Sequence, residues 1–137
     1  MTIAATMMLA DHAQVADGKL YVNGGGWSVV DARAPAYSIA MLLLVPWDRA
    51  GRPLEFGLTL VDEDGHLVRT GPDGNELRFA GRIEVARPPA HRAGVPLDLP
   101  MVIGIPPVQL EPASRYTWLL DVDGQTRDDW RLAFSTR

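Results

Sequence analysis

Glycine and proline interrupt this chain so often that few unbroken windows reach the ~11–12 residues of an average helix. The 13 Gly and 11 Pro are scattered along all 137 residues. Such punctuation excludes a helix bundle, a coiled coil and a helical membrane span, and it asks for short extended elements joined by turns. Between the breakers the apolar residues recur with period two, as a strand requires. Leu77, Phe79, Gly81, Ile83 and Val85 alternate with Arg78, Ala80, Arg82, Glu84 and Ala86, which predicts a half-buried strand with a charged outer face. Val95, Leu97, Leu99, Met101, Ile103 and Ile105 share one phase, while Pro96, Pro100 and Pro106 fall on the other. Proline in that phase removes ladder donors, so this strand belongs at a sheet edge or carries a bulge. Phe56, Leu58 and Leu60, then Tyr116, Trp118, Leu120 and Val122, then Trp130, Leu132 and Phe134 repeat the pattern. Ile39 to Val45 is apolar on both phases, which predicts a central strand covered on both sides.

Turn chemistry falls between these runs. Asp64-Gly65, Asp73-Gly74 and Asp123-Gly124 are pairs that tolerate positive φ, and each predicts a hairpin; Asp17-Gly18 punctuates the approach to Lys19–Val22. In the stretch Thr2 to Val15, Ile3, Ala5, Met7 and Leu9 fit a strand, although its Ala and Met content without a breaker also permits a helix; a strand is expected. The final strand is expected over Asp128–Ser135, and Arg87 to Gly94, with Pro88-Pro89, is a stiff loop. A mass of 15.0 kDa implies one domain over residues 1–137. Surface scaling at that mass takes roughly 22,000 Å² of unfolded area to roughly 7,000 Å², so a core forms without the cysteines that the chain lacks. Eight or nine short strands with turns every 8 to 12 residues predict an all-β fold, an antiparallel β-sandwich or barrel.

Thirteen basic against seventeen acidic residues give a net charge of −4, which argues against general affinity for nucleic acid or anionic lipid. Lys19 is the sole lysine beside twelve Arg, a bias that a GC-rich genome explains together with the sixteen Ala. The N-terminus lacks the basic region of a signal peptide, and Asp11 and His12 cut short its apolar stretch. The run Ile39 to Trp47 is half the length needed to cross a bilayer. A cytoplasmic protein that binds neither nucleic acid nor membrane is expected.

Two resemblances refine this picture. Leu110-Glu111-Pro112-Ala113-Ser114-Arg115-Tyr116 resembles the Leu-x-Pro-x-x-x-Tyr tyrosine corner of fibronectin type III domains. The resemblance implies that the phenol bonds back to the backbone just upstream and pins a crossover between sheets, and it narrows the expected fold to an antiparallel immunoglobulin-like or fibronectin III-like β-sandwich of eight or nine strands. Separately, Ala10-Asp11-His12-Ala13-Gln14-Val15 followed by Gly18-Lys19-Leu20 and Gly24-Gly25-Gly26-Trp27 is similar to the opening signature of a family of small bacterial proteins known only as a domain of unknown function. Val45-Pro46-Trp47, Leu60 to Gly65 and Arg87-Pro88-Pro89 fit its pattern. That family implies a compact single domain and supplies no catalytic residue. It carries an aromatic ring where this chain has His12, which argues against His12 as a required ligand or base.

Candidate chemistry is sparse. His12, His66 and His91 lack zinc spacing, and none of the four Ser sits in a nucleophile elbow, so no metal site and no cofactor are expected. Asp11 beside His12 suggests an acid–base dyad, but neighbours in a strand point to opposite faces. Gly24, Gly25 and Gly26 offer backbone donors to an anion, yet their strand-like flanks favour a bulge or the close approach of neighbouring groups. Carboxylates at Asp62/Asp64, Asp73, Asp121/Asp123 and Asp128/Asp129 suggest calcium, which needs six to eight oxygens converging at one end of the fold. Trp47, Asp48, Arg49 and Arg52 form the most suggestive loop, an aromatic platform with two guanidinium groups of the kind that anchors interfaces; the structural alternative has Trp47 capping the core. The functional expectation is a non-enzymatic binding or assembly module whose partner is a protein or a second copy of the chain. A calcium- or carbohydrate-binding sandwich is the alternative, and an enzyme with a dispersed Asp/His site ranks third.

Overall fold

The computed structural model describes residues 2–137. In chain order its extended segments are β1 (Ala4–Ala16), β2 (Lys19–Gly25), β3 (Val29–Val30), β4 (Arg33–Ala34), β5 (Tyr37–Val45), β6 (Pro53–Asp62), β7 (Arg69–Thr70), β8 (Asn75–Glu76), β9 (Arg78–Glu84), β10 (Leu97–Ile105), β11 (Val108–Gln109), β12 (Arg115–Val122) and β13 (Arg131–Thr136). One 3-10 turn, Trp47–Arg49, is the helical element among the described residues. Strands β10, β5, β1 and β2 hydrogen-bond in that order into a four-stranded antiparallel sheet. A five-stranded sheet runs β3, β13, β12, β6, β9, and only its β13–β3 pair is parallel. The ribbons β4–β11 and β7–β8 lie outside both sheets.

The inward phases of the two sheets meet in one core. Leu9, Ile39, Met41 and Leu43 come from the first sheet, and Leu58, Leu60, Trp118, Leu120 and Phe134 from the second, all essentially without solvent contact. One polar bond crosses this core: Trp118 Nε1–H donates to the Tyr37 hydroxyl at 3.0 Å. Burial pushes the Tyr37 phenol up to about 12, because its anion would sit in apolar surroundings, while the bond from Trp118 works in the opposite direction.

Two turns behave as their sequence demands. Asp17 and Gly18 have φ of 52° and 70°, the positive pair that a type I′ turn needs, and they close the β1–β2 hairpin at Ala16↔Lys19. Asp123 and Gly124 (φ 50° and 78°) similarly close a two-residue loop, with Val122 and Gln125 exchanging backbone bonds of 2.8 and 3.0 Å. The corner before β12 is closed by Glu111 N–H donating to the Tyr116 hydroxyl at 3.0 Å. Thr136 supports the same crossover, since its Oγ1 accepts from Ser114 N–H at 3.0 Å and donates to the Glu111 carbonyl.

The N-terminal stretch is the strand expected, because β2 and β5 supply ladders on both of its sides. Other expectations need correction. Coverage of β5 on both faces holds only from Tyr37 to Met41; Leu42 and Leu44, on the outward phase, are 39% and 40% exposed. The proline-bearing strand is an edge as expected, pairing only with β5, but it begins at Leu97 because Val95 N–H is used in a turn to Arg92 O at 3.2 Å. The last strand starts at Arg131, since Trp130 N–H closes a turn onto Arg127 O at 3.1 Å. Thirteen extended segments are present, five of them two residues long. The folded surface, 8059 Å², exceeds the scaling expectation, in keeping with a β1–β2 hairpin that leaves Val15 and Tyr21 exposed.

Candidate functional site

The Trp47 loop is filled by its own neighbours. Arg87 places Cζ 4.6 Å from the Trp47 ring centroid and donates Nε and Nη2 to the Trp47 carbonyl at 3.1 and 2.6 Å. The His91 ring stacks on the same indole at 5.8 Å and 8°, and its Nε2 lies 2.9 Å from Val95 O. A guanidinium and an imidazole therefore use the platform that sequence alone offers to a partner, and they tie down the 87–94 loop. Arg49 is committed to Asp123 (2.7 Å), whose Oδ1 accepts from Glu55 N–H at 2.9 Å. Arg52 reaches only the Asp48 carbonyl, at 3.4 Å.

Asp11 and His12 are consecutive in β1, so the pleat sends them to opposite faces of the sheet and no dyad forms. Asp11 lies on the phase of Leu9 and Ala13, where the sheet runs past the end of the core, and there it meets the glycine cluster. A Cβ on Gly24 would collide with the Asp11 carboxylate, and one on Gly25 would fall 2.6 Å from Val22 Cγ1 and 2.9 Å from Met8 Sδ. Gly26 N–H is used by Leu9 O at 2.8 Å. These glycines admit neighbouring side chains; an anion over Gly24 would meet a carboxylate already there.

Beyond Gly26 the chain leaves the first sheet, runs along the edge of the second as β3, and returns through β4 to β5. This strap leaves a cleft of about 420 Å³ that reaches from the inner strands β1 and β5 of the first sheet to the edge strand β3 of the second, lined by Asp11, Trp27, Val29, Val30, Asp31, Pro35, Ala36, Tyr37 and Arg137. Its volume lies in the range of small-molecule sites. The strap is held by Ser28 O to Ser135 N (2.8 Å), Val30 O to Arg137 N (3.0 Å) and Ala32 O to Leu110 N (2.8 Å). Trp27 is half-buried and meets Tyr37 edge to face at 5.3 Å and 75°, while its buried indole N–H has no acceptor among the described residues. Packing, not a polar tether, sets this ring. Arg137 Nε pairs with Asp31 Oδ1 at 2.7 Å. Asp11 pairs with no cation among the described residues.

A second cleft, about 480 Å³, lies on the outer face of the five-stranded sheet. There the Arg78 guanidinium rests over Gly57 and bonds Thr59 Oγ1 (2.6 Å) and Asp121 Oδ2 (2.9 Å), and that bond to Asp121 raises its already high pKa. At the Asp64-Gly65 turn, Asp62, Asp64 and His66 bring ligand atoms within 4.8 Å of one another. Asp62 Oδ1 already accepts from Asp64 N–H (3.0 Å) and His66 N–H (2.9 Å), which is ordinary turn chemistry and far from the six to eight oxygens calcium requires. Of the residues at or beside the cleft under the strap, Asp11 and Gly24 are visible in the sequence as candidates, whereas Trp27, Asp31, Tyr37 and Arg137 are not; the aromatic that directly follows the glycines is the available signal. No helix among the described residues is long and apolar enough to cross a membrane.

Fold and cleft together define a class: an all-β fold whose two main sheets share one core, with a cleft of about 420 Å³ beneath the 26–36 strap. The chain belongs to DUF6941, a family of unknown function, whose model matches residues 5–135. No curated protein and no solved structure matches it.

Proposed function

We propose that this chain is a fibronectin III-like sandwich acting as a non-enzymatic binding module, with the cleft beneath the 26–36 strap as its binding surface. The strand order supports the scaffold half of this reading. Strands β1, β5 and β10 share one sheet while β6, β12 and β13 share the other, which follows the A, B, E against C, F, G partition of immunoglobulin-like folds. The tyrosine corner supports it too, sitting just before β12, the F position. The binding half rests on one observation: at this cleft an unpaired carboxylate, a half-buried indole and an apolar floor converge in about 420 Å³. The separation of Asp11 and His12 by the pleat favours binding over acid–base catalysis. A chemically diverse fragment set followed by ¹H–¹⁵N correlation spectra tests the reading. Shifts are expected to gather on Asp11, the Trp27 indole and residues 29–37. Shifts gathered on another surface, or a turnover that Asp11→Asn abolishes in the folded protein, would overturn it.

A further inference from the structure

We infer that the cleft takes a small organic cation, an ammonium head on an apolar body, with Asp11 facing the positive charge and Trp27 packing against the body. This deepens the reading of the cleft as a binding surface and rests on it. The charged groups that line the cleft are two carboxylates and one guanidinium, and Arg137 is already spent on Asp31 at 2.7 Å. Asp11 is what remains, so an anion entering the cleft would meet uncompensated negative charge, whereas a cation would gain an ion pair. The indole adds attraction for a cation through its ring face and for the ligand's body through apolar contact.

The position of Asp11 is itself built. Gly24 has a φ of 61° and no side chain, and the Asp11 carboxylate occupies the space that a Cβ there would need. Gly24 is thus a positioning residue: its φ and missing side chain let the carboxylate lie where it does. The larger cleft over Gly57 offers no such imbalance, because Arg78 is neutralised by Asp121 and Arg82 stands opposite Glu55 across the strand pair. In the small cavity of about 200 Å³ beside Trp130, Arg49 is paired to Asp123 and Arg127 to Asp129.

The test compares three probes of similar ring size on the full chain: phenyltrimethylammonium, benzyl alcohol and benzoate. Amide and indole shifts of Asp11, Trp27 and Val29 report binding at the cleft, and the rest of the spectrum reports folding. Phenyltrimethylammonium is expected to bind most tightly and benzoate least. Asp11→Asn should weaken the cation about threefold to fivefold, the range for a solvent-exposed ion pair, while leaving benzyl alcohol unchanged. Added salt should weaken the cation alone, which tests the charge without any substitution. Equal or tighter binding of benzoate, or an Asp11→Asn protein that binds the cation as before, would overturn the cationic ligand and leave the binding cleft standing. Failure of all three probes to move the cleft residues would overturn both.

Discussion

Replacing Tyr116 by Phe removes one oxygen from a packed ring and should be felt by the whole domain. Tyr116 is buried, its ring stacks on Phe134 at 5.8 Å, and its hydroxyl is the acceptor for Glu111 N–H at 3.0 Å. Phenylalanine keeps the stacking and leaves that part-buried N–H without a partner. An orphaned donor of this kind costs about 1–3 kcal/mol, so about 2 kcal/mol is the central expectation. An unfolding entropy of ~2.1 cal/mol/K per residue over 137 residues gives about 290 cal/mol/K, which turns that loss into a Tm drop of about 7 °C. Differential scanning calorimetry measures the shift, and urea titration with an unchanged m-value checks that stability alone has moved. Tyr21→Phe is the control, since Tyr21 is 47% exposed and its substitution should stay within about 0.5 kcal/mol. Thr136→Val attacks the same crossover from the other side, so the double variant should lose less than the sum of the singles. A Tyr116→Phe protein that melts within about 1 °C of the parent would refute the idea that this corner closes through the phenol.

Tyr37 predicts an alkaline limit. Its pKa rises from 10.0 when unfolded to about 12 in the fold, so its contribution is complete below pH 10 and is lost as pH climbs toward 12; urea midpoints should fall across that window, and Tyr37→Phe should flatten the fall. Gly24→Ala and Gly57→Ala should separate by backbone strain. The first forces a side chain at a φ of 61° against Asp11 and should cost more than about 1 kcal/mol, whereas the second displaces only the flexible end of Arg78 and should cost about 0.5–1 kcal/mol. The reverse order in calorimetry would contradict the close-approach account. Arg87→Ala removes both bonds to the Trp47 carbonyl, so limited trypsin digestion should cut faster after Arg92 in the loosened loop; an unchanged rate would mean that His91 stacking alone holds it.

How far the sequence reveals this fold follows from the range of each signal. The β9 and β10 patterns are legible because alternation is local, and the Asp17-Gly18 and Asp123-Gly124 turns because positive φ is a property of the dipeptide. The tyrosine corner is legible because its donor and acceptor are five residues apart. The apolar run of β5 overstates its coverage at Leu42 and Leu44 because an apolar residue does not itself announce a second layer; β5 is central within its sheet, yet half of its outer phase faces solvent. The N-terminal segment was ambiguous for a related reason. Ala and Met suit a helix in isolation, and the ladders to β2 and β5 that decide for a strand are formed by residues elsewhere in the chain.

The candidate site divides along the same line. The Trp47 loop attracts attention in the sequence because an aromatic and two arginines lie within six positions, but Arg87 and His91, which use its ring, are some forty residues further on. In the cleft the situation is inverted. Asp11 stands out in the sequence only beside His12, from which the pleat separates it, while Asp31 looks like an ordinary surface carboxylate and Arg137 like a surface cation. Only the parallel pairing of β3 with β13 brings Arg137 to Asp31, and that pairing satisfies the one carboxylate while leaving the other free. The glycines carry the link between the two scales. Their sequence says that something must come close, and the fold supplies what comes: the Asp11 carboxylate at Gly24, Val22 and Met8 at Gly25. A motif that offers backbone donors to an anion, and whose flanks favour a close approach instead, holds a carboxylate beside it once folded, and that charge carries the proposal of a cation for the cleft.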